Sequence, residues 1–455
     1  MKITVVGAGI VGLTTAAGFA DLGHYVHCAD IDTAKIATLS KGAVPYHEAG
    51  LESLVARNVS AGRLSFGHDP SKALAEAEMT FLAVGTPSED SGEMSLGALW
   101  SVVDRFEPWT GGARRIVVIK STVPIGTAER AEARLRARLP AGCAVDVASI
   151  PEFMREGSAV RDFFEPTRIV IGTASAEAAE RLTQLHQRLP GPIMATDRRS
   201  AELAKLAANA YLAVKISFAN EIAGLAEQTG ADYPSVAHSM GLDPRIGPHF
   251  LAAGLGFGGS CLPKDARAIV RIADEAGAPQ TVVEAAMRAN AMLPLRMVRK
   301  LEAALTDPSR RKVTLLGLAF KPGTDDIREA PSLRLIAELK RRHPGISIAA
   351  YDPGANGSAK KVVPAGVDIC DSAEEALRGA DAAIVVTEWR EFRQIKADDF
   401  KNWMNRPIIM DGRNALDAAA LNAQGVVCIG VGRLPAVPKD AAPVPRKPGE
   451  LASQA

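Results

Sequence analysis

The chain has 455 residues, and its 53 basic and 52 acidic side chains give a formal net charge of +1. This length exceeds what one hydrophobic core serves, so the sequence predicts two or three domains. The interspersed charge and the absence of a long apolar run exclude nucleic acid and a membrane as partners.

The number and spacing of the cysteines indicate the cellular compartment of the protein. Five cysteines occur, at positions 28, 143, 261, 370 and 428, and no pair has CxxC spacing. Scattered cysteines of this kind argue against a disulfide framework and against a zinc site. The sequence therefore predicts a cytoplasmic protein with reduced thiols and no metal.

The N-terminal segment KITVVGAGIVG predicts a strand that leads into a dinucleotide-binding turn formed by Gly7, Gly9 and Gly12. The three glycines permit a tight turn, close approach of a pyrophosphate and close helix packing. The next strand, YVHCAD, ends in Asp30, whose carboxylate suits ribose hydroxyls and repels a 2′-phosphate. NAD is therefore predicted over NADP. The alternative is a glycine-rich turn without a ligand.

Two later strands, in MTFLAVGTP and RRIVVIKSTVPIGT, end near Thr86 and Thr122. Ligands of parallel sheets bind at the carboxyl ends of the strands, so these threonines are candidates to line the nicotinamide. Ordinary loop threonines are the alternative.

A long helix is predicted between Ser200, as its N-cap, and Gly230, as its end. Lys205, Asn209 and Asn220 fall on nearly one face of it, which indicates a buried functional stripe or a polar seam in a dimer contact. Its remaining apolar surface predicts a homodimer.

The segment GFGGSCLPKD places Cys261 behind three glycines and before a helix predicted to start near Pro263. Free amides at that helix end are expected to lower the pKa of the thiol. Beside NAD, a nucleophilic thiol can capture an aldehyde as a thiohemiacetal that loses a second hydride. An inert, buried cysteine is the alternative.

The pattern of strands repeats from Arg311 onward, where RKVTLLGLAFKPG and ISIAAYDPGA again read as strands that end in a glycine turn and an aspartate. The chain is therefore predicted to be an α/β protein of two Rossmann-like doubly wound domains, joined by a long central helix and a helical segment. Lys321 and Arg413 are candidates to bind a diphosphate, with solvated surface charges as the alternative. The predicted units are 1–198, 199–300, 311–435 and a disordered tail, 436–455.

Four stretches together resemble the UDP-glucose/GDP-mannose dehydrogenase family over roughly residues 1 to 435: IPEFMREGSAVRDFFEPTRIVIG, AELAKLAANAYLAVKISFANEI, RIGPHFLAAGLGFGGSCLPKD and LGLAFKPGTDDIREAPS. The resemblance implies oxidation of a sugar C6 alcohol to a carboxylate by two NAD, without release of the aldehyde. UDP-glucose is the first candidate substrate, and GDP-mannose or a UDP-N-acetylhexosamine is the alternative. A single-step hydroxyacid-type dehydrogenase or an NAD-binding regulator would leave Cys261 unexplained.

The resemblance also implies the roles of individual residues. The implied catalytic residues are Cys261, Lys205, Asn209, Asp265, Thr122 and Glu152. Beside the three glycines, the implied NAD contacts are Val11, Asp30, Lys35, Thr86, Thr122, Glu156, Lys264 and Arg328. The implied substrate contacts are Glu152, Phe153, Met154, Arg155, Glu156, Lys205, Asn209, Phe250, Leu251, Ala252, Ala253, Gly254, Gly258, Lys321, Arg413 and, from a neighbouring subunit, Arg245. Two positions depart from the family, which usually has Asn where Ile150 stands and often an aromatic residue where Leu262 stands.

Overall fold

The computed structural model describes residues 1–89, 91–109, 114–305 and 307–433, so the predicted tail at 436–455 lies outside the described residues. The strands are β1 (Lys2–Val6), β2 (Tyr25–Ala29), β3 (Leu64–Gly67), β4 (Met79–Leu82), β5 (Arg115–Ile119), β6 (Val145–Ser149), β7 (Ile169–Thr173), β8 (Ile193–Thr196), β9 (Lys312–Leu316), β10 (Ser347–Tyr351), β11 (Val367–Ile369), β12 (Ala382–Val385), β13 (Ile408–Asp411) and β14 (Val427–Gly430). The helices are α1 (Ile10–Asp21), α2 (Thr33–Leu39), α3 (Leu51–Ser60), α4 (Ser71–Glu76), α5 (Gly97–Val103), α6 (Thr127–Arg138), α7 (Ala159–Phe164), α8 (Ala176–His186), α9 (Arg198–Thr229), α10 (Tyr233–Gly241), α11 (Leu262–Glu275), α12 (Thr281–Ala291), α13 (Leu293–Ala304), α14 (Pro331–Arg342), α15 (Asn356–Ala359), α16 (Ala373–Leu377), α17 (Ala397–Trp403) and α18 (Ala418–Ala423). Short 3₁₀ turns occur at Pro308–Arg310 and Phe392–Gln394.

The first sheet has the strand order β3-β2-β1-β4-β5-β6-β7-β8. Its neighbouring strands are parallel except β6 and β7. Successive residues of β1 pack into cores on opposite faces of the sheet, as Val5 and Val6 show. Because β1, β4 and β5 are neighbours, the turns that follow them meet at one edge of the sheet.

The second sheet has the order β11-β10-β9-β12-β13-β14 and is parallel throughout. This order is the order of the first six strands of the N-terminal sheet, repeated in a second unit. The predicted α/β fold of two Rossmann-like units joined by a long central helix is confirmed. No helix in the described parts of the chain is both long and apolar enough to cross a bilayer.

The central helix α9 is 32 residues long and packs against α11 and α12. The prediction that Ser200 caps it is wrong. Asp197 is the N-cap, and its Oδ1 accepts the amide N–H of Ser200 at 2.9 Å. The helix starts earlier because the carboxylate satisfies the amides of its first turn. It ends at Gly230, whose φ of +82° confirms the predicted stop.

Candidate active site

The turn after β1 has the geometry of a dinucleotide site. Gly7 has a φ of +102°, and a Cβ on Gly12 would lie 1.8 Å from the Gly7 carbonyl oxygen, so both positions require glycine. A Cβ on Gly9 would meet no protein atom within 4 Å. That open space borders the uncapped N-terminus of α1, where free amides suit a phosphate. The residues therefore fit the predicted NAD.

Asp30 lies at the end of β2 beside this turn. Its Oδ2 accepts the amide N–H of Ala8 at 2.8 Å and contacts Nζ of Lys35 at 3.1 Å. Burial alone would raise the pKa of Asp30, but the amides of Asp32 and Ala8 together with Lys35 outweigh it and lower that pKa. The carboxylate is therefore anionic at neutral pH.

The two candidate threonines lie together. Thr86 is buried, and its Oγ1 donates to the backbone carbonyl of Thr122 at 2.7 Å. The neighbouring Ser121 hydroxyl donates to the carbonyl of Val84 at 2.7 Å. These bonds join the loops that follow β4 and β5 at the carboxyl edge of the sheet.

Cys261 is the N-cap of α11 and lies beside two buried polar pairs. Lys205 Nζ contacts Glu152 Oε1 at 3.0 Å, with both side chains almost fully buried. Asn209 Nδ2 donates to Asp265 Oδ2 at 2.5 Å, and Lys264 Nζ contacts Asp265 Oδ1 at 2.6 Å. Cys261 is exposed, whereas the other four cysteines are buried. Five predicted site residues therefore surround one accessible thiol.

The expectation that the helix end lowers the pKa of the Cys261 thiol is wrong. Although part of the residue is exposed to solvent, the protein packed around the sulfur desolvates it and raises that pKa, and the carboxylate of Glu152 raises it further, against the opposing effect of Lys205. Burial would lower the pKa of Lys205, but Glu152 and Asp265 outweigh burial and raise it. The resting site thus holds a protonated thiol next to a charged ammonium.

The loop after β6 connects the two sheets. Nζ of Lys321, in the turn after β9, donates to the carbonyl oxygen of Glu156, and Thr324 Oγ1 donates to Glu156 Oε1 at 2.6 Å. Burial raises the pKa of Glu156. A Cβ on Gly157 would lie 2.9 Å from the Gly323 carbonyl oxygen. The loop assigned to NAD and sugar therefore packs directly on the second unit.

The segment before Cys261 is held by three side chains, of which sequence reasoning missed Tyr233 and Asn290. Tyr233 donates its hydroxyl to the Leu251 carbonyl at 2.7 Å. Asn290 bonds both backbone groups of Phe257, at 2.9 and 3.1 Å. Asn220, part of the predicted polar stripe, accepts the Gly254 amide at 2.8 Å. Asn220 therefore supports the segment, and its side chain bonds the Gly254 amide and the Ile216 carbonyl instead of the polar pairs around Cys261.

The glycines of this segment have packing reasons. A Cβ on Gly258 would lie 2.3 Å from the Glu329 carbonyl oxygen, and one on Gly259 would lie 2.7 Å from the Phe320 ring. Glycine at both positions therefore allows the second unit to approach closely, in addition to leaving the sulfur uncovered.

Arg413 follows β13 and lines a cavity of about 460 Å³ together with Leu251, Ala252 and Ala253. Its guanidinium donates to the carbonyls of Val386 at 2.7 Å and Gly256 at 3.1 Å. Burial lowers the pKa of Arg413. A solvated surface charge therefore does not describe this residue.

The remaining predicted residues differ in their surroundings. Arg245 pairs with Asp243 and its side chain is 87% exposed. Phe250 is exposed and has a φ of +64°. Arg328 pairs with Asp326, while its carbonyl accepts the Gly259 amide at 2.9 Å. Ile150 is buried in the first core, so the departure from Asn changes packing there.

Arg155 pairs with Asp162 on α7. The guanidinium of Arg168 lies over the ring of Phe153, 3.6 Å from the ring centre. The amide of Met154 donates to Glu152 Oε2 at 2.5 Å. These contacts fix the course of the loop after β6.

Three buried charged residues also escaped the sequence reasoning. Glu48 and Glu202 each accept two backbone amides. Burial raises the pKa of Glu202 to about 7. Burial lowers the pKa of Lys120, at the end of β5, to about 8. A charged residue in an apolar stretch is a weak sequence signal, and no spacing rule connects these residues to their distant partners. No group of three or more metal-ligating side chains that could hold an ion occurs among the described residues.

The fold and the nucleotide-binding turn are those of an NAD-dependent dehydrogenase. Three models of the UDP-glucose/GDP-mannose dehydrogenase family match the chain: the NAD binding domain at residues 1–190, the central domain at 199–292 and the UDP binding domain at 314–418. The chain belongs to this family.

Relatives of the chain match it over nearly their whole length. UDP-glucose 6-dehydrogenase YwqF of Bacillus subtilis is 42% identical over 97% of this chain and 100% of its own. UDP-glucose 6-dehydrogenase of Pseudomonas aeruginosa is 43% identical over 95% and 98%. The solved UDP-glucose dehydrogenase of Pyrobaculum islandicum superposes with a TM-score of 0.87 at 36% identity, covering 95% of this chain and 97% of that one.

Proposed function

We propose that this protein oxidises UDP-glucose to UDP-glucuronate with two NAD. The observation that carries the proposal is the accessible thiol of Cys261 beside the Lys205–Glu152 and Asn209–Asp265 pairs, in a chain of this family. Each turnover consumes one UDP-glucose, two NAD⁺ and one water, and it yields one UDP-glucuronate, two NADH and three protons.

NAD, when bound on the first sheet, accepts the hydride that leaves C6 in each of the two oxidations. The phosphates of NAD lie at Gly9 and the N-terminus of α1, and Asp30 holds the adenosine ribose. The other NAD contacts that the resemblance implies complete the site. Thr86 and Thr122 lie at the strand ends where its nicotinamide is expected.

Residues of the chain capture the aldehyde and convert it to the carboxylate. As the first hydride leaves C6, the C6 hydroxyl passes its proton to Glu152 or Asp265, and this proton is then released to solvent. Cys261 Sγ next bonds to the aldehyde carbon, and one of the same two carboxylates takes up the thiol proton. Lys205 stabilises the oxyanion that forms on the sugar oxygen. Loss of the second hydride gives a thioester, and water attacks it, releasing the carboxylate and the thiol.

The sugar nucleotide lies between the two units in this proposal. Lys321 donates from the second unit to the carbonyl oxygen of Glu156, and Arg413 lines the cavity beside Leu251, Ala252 and Ala253. A diphosphate fits such cations because charge-assisted bonds to phosphate are strong. Phe250, Gly254 and Gly258 belong to the same segment.

A homodimer is part of the proposal. Leu203, Tyr211, Phe218 and Leu225 are exposed at intervals of about two turns along α9. An apolar stripe of this length on one helix suits a second copy of the chain. Arg245, which pairs with Asp243 and is exposed, would contact the sugar nucleotide of the partner subunit. The reduced thiol on which the chemistry depends supports a cytoplasmic location.

One assay tests the proposal. The protein is incubated with NAD and, separately, UDP-glucose, GDP-mannose and UDP-N-acetylhexosamines, and the NADH formed per sugar is counted. We expect two NADH per UDP-glucose and no aldehyde trapped by an added amine. Preference for another sugar, at the same ratio of two, would change the substrate alone. A ratio of one with trapped aldehyde would refute the thioester route and favour a single-step dehydrogenase.

A further inference from the structure

Two loops of the candidate site end in the same short motif, a glycine followed by a hydroxyl residue and an alanine. The first is Gly126-Thr127-Ala128, where α6 begins, and the second is Gly157-Ser158-Ala159, where α7 begins. Gly126 has a φ of +86° and Gly157 a φ of +82°, so both glycines adopt the left-handed conformation. Gly126 is itself the N-cap of α6, whereas Ser158 is the N-cap of α7, so the two motifs share the glycine conformation and differ by one residue in where the helix begins.

A buried carboxylate meets the first motif. Glu202 Oε2 accepts the amide N–H of Gly126 at 2.6 Å, and its Oε1 accepts that of Ala128 at 2.8 Å. Glu202 is 2% exposed and lies on α9, one turn before Lys205. It ties the loop of Thr122 to the helix that carries the lysine.

A second buried carboxylate meets the second motif in the same arrangement. Glu48 Oε2 accepts the amide N–H of Gly157 at 2.7 Å, and its Oε1 accepts that of Ala159 at 2.8 Å. Glu48 is 6% exposed and precedes α3. It is 109 residues away from Gly157 in the chain, so local structure does not dictate the pairing.

Both clamped loops carry residues of the proposed mechanism. Thr122 lies four residues before Gly126, and Glu152 lies five residues before Gly157. When two charge-assisted hydrogen bonds fix the C-terminal end of a loop, the reactive side chains of that loop are held at defined positions. A displacement of about 1 Å at a reacting centre can cost on the order of 100-fold in rate.

We propose that Glu202 and Glu48 are positioning residues, which fix the Thr122 loop and the Glu152 loop through these paired amide contacts. The inference rests on the proposed function for the roles of Thr122 and Glu152. The competing explanation is that both carboxylates are ordinary helix caps, which add stability and leave the chemistry unchanged.

Hydrogen exchange of the loop amides tests the contacts independently of turnover. Glu202→Gln and Glu48→Gln keep the shape of the side chain but turn an NH₂ group toward one amide. We expect exchange to rise about tenfold at 121–128 in Glu202→Gln and at 152–159 in Glu48→Gln, each without change in the other loop. Equal exchange in wild type and both variants would overturn the proposal.

Glu132→Gln is the matched control. Glu132 pairs with Arg198, so it also joins α6 to α9, but its ion pairs go to Arg198 and Arg136 and not to either loop. We expect it to leave loop exchange and kcat unchanged. A Glu132→Gln effect equal to that of Glu202→Gln would show a general loosening of the helix contact and would overturn the positioning role.

Double-mutant cycles test the chemistry. We expect kcat to fall about tenfold in each glutamine variant, with KM within about twofold of wild type. Glu202→Gln should add little to Thr122→Ala, and Glu48→Gln little to Glu152→Gln, because each pair acts through one loop. Effects that multiply would leave only a stabilising role and would overturn the proposal.

Two further outcomes are covered by the design. If wild type turns over no nucleotide sugar, the proposed function fails, while hydrogen exchange still decides the loop contacts. If a glutamine variant does not fold, the aspartate variant at that position replaces it, because the shorter side chain keeps the charge but cannot span both amides. The same outcomes are expected of it.

Discussion

The two Rossmann-like sheets share their strand order and their first turn, but their strand-end aspartates do different things. Gly7 and Gly317 have the same φ, +102°, and their amides donate to the end of the neighbouring strand at 2.7 and 2.8 Å. Asp30 follows β2 and Asp352 follows β10, at matching places. The difference begins beyond this shared frame.

In the second unit the aspartate is used by the protein itself. Asp352 Oδ2 accepts the amides of Leu318 and Ala319 and the indole N–H of Trp389, and Oδ1 accepts two further amides. Asp352 is fully buried, whereas Asp30 is partly exposed. A carboxylate already satisfied by five donors has no capacity for a ribose. The duplicated fold therefore keeps the position of the aspartate, but Asp352 supports the turn, whereas Asp30 is the predicted ribose ligand.

The largest expected effect concerns the thiol between the two units. Cys261→Ser should bind NAD and UDP-glucose normally, because each ligand is held by its own unit. Turnover should fall by about 10³-fold or more, since serine is a much weaker nucleophile at neutral pH. Stopped-flow measurement of NADH formation, with calorimetric titration of both ligands, checks this. Near-normal two-step turnover would remove Cys261 from the mechanism.

The aspartate comparison predicts different losses of stability. Asp352→Asn turns an NH₂ group toward donors that need an acceptor, so it should lower the free energy of unfolding by about 3 kcal/mol. Asp30→Asn, at the partly exposed position, should lower it by only about 1 kcal/mol. Denaturant titrations of both variants provide the measurement. Equal losses would mean that the two aspartates do the same structural work.

Ligand preference should divide between the units. Lys321→Ala should weaken UDP-glucose binding by about 1–3 kcal/mol if its contact is charge-assisted, while NAD affinity stays near that of wild type. Calorimetry with each ligand separately checks the division. An equal loss for both ligands, or no loss for either, would show that the ligands are assigned to the wrong units.

The smallest expected effect tests the predicted role of Asp30 in the choice between NAD and NADP. Wild type should use NADP poorly, and Asp30→Ala should reduce the preference for NAD by about tenfold, or 1.4 kcal/mol, because the carboxylate no longer repels a 2′-phosphate. The ratio of kcat/KM for the two cofactors measures it. The matched Asp352→Ala variant should leave that ratio unchanged. Wild type that uses both cofactors equally would contradict the assignment of Asp30.

Local patterns in the sequence explain why the fold was predictable. The turn glycines, the strands that close on Asp30 and Asp352, and the stop at Gly230 each depend on residues a few positions apart. The start of α9 was misplaced by a few residues because Asp197 and Ser200 are both good N-caps, and the choice between them depends on tertiary packing.

Contacts between distant segments explain what was not predictable. The pKa of Cys261 is set by burial and by Glu152, which lies in a loop of the first unit, and no local pattern reveals either. Glu202 is 74 residues from Ala128, and Asn290 is 33 residues from Phe257. The resemblance predicted which groups react, but the supporting residues became visible only in three dimensions.

The state of the thiol has a consequence for the durability of the protein. Peroxides and alkylating agents attack thiolates, and a raised pKa leaves very little thiolate on Cys261 at neutral pH. The other four cysteines are buried. The resting protein should therefore react with hydrogen peroxide more slowly than free cysteine does, and its sulfur should become reactive only once bound substrate and the surrounding carboxylates draw off the proton.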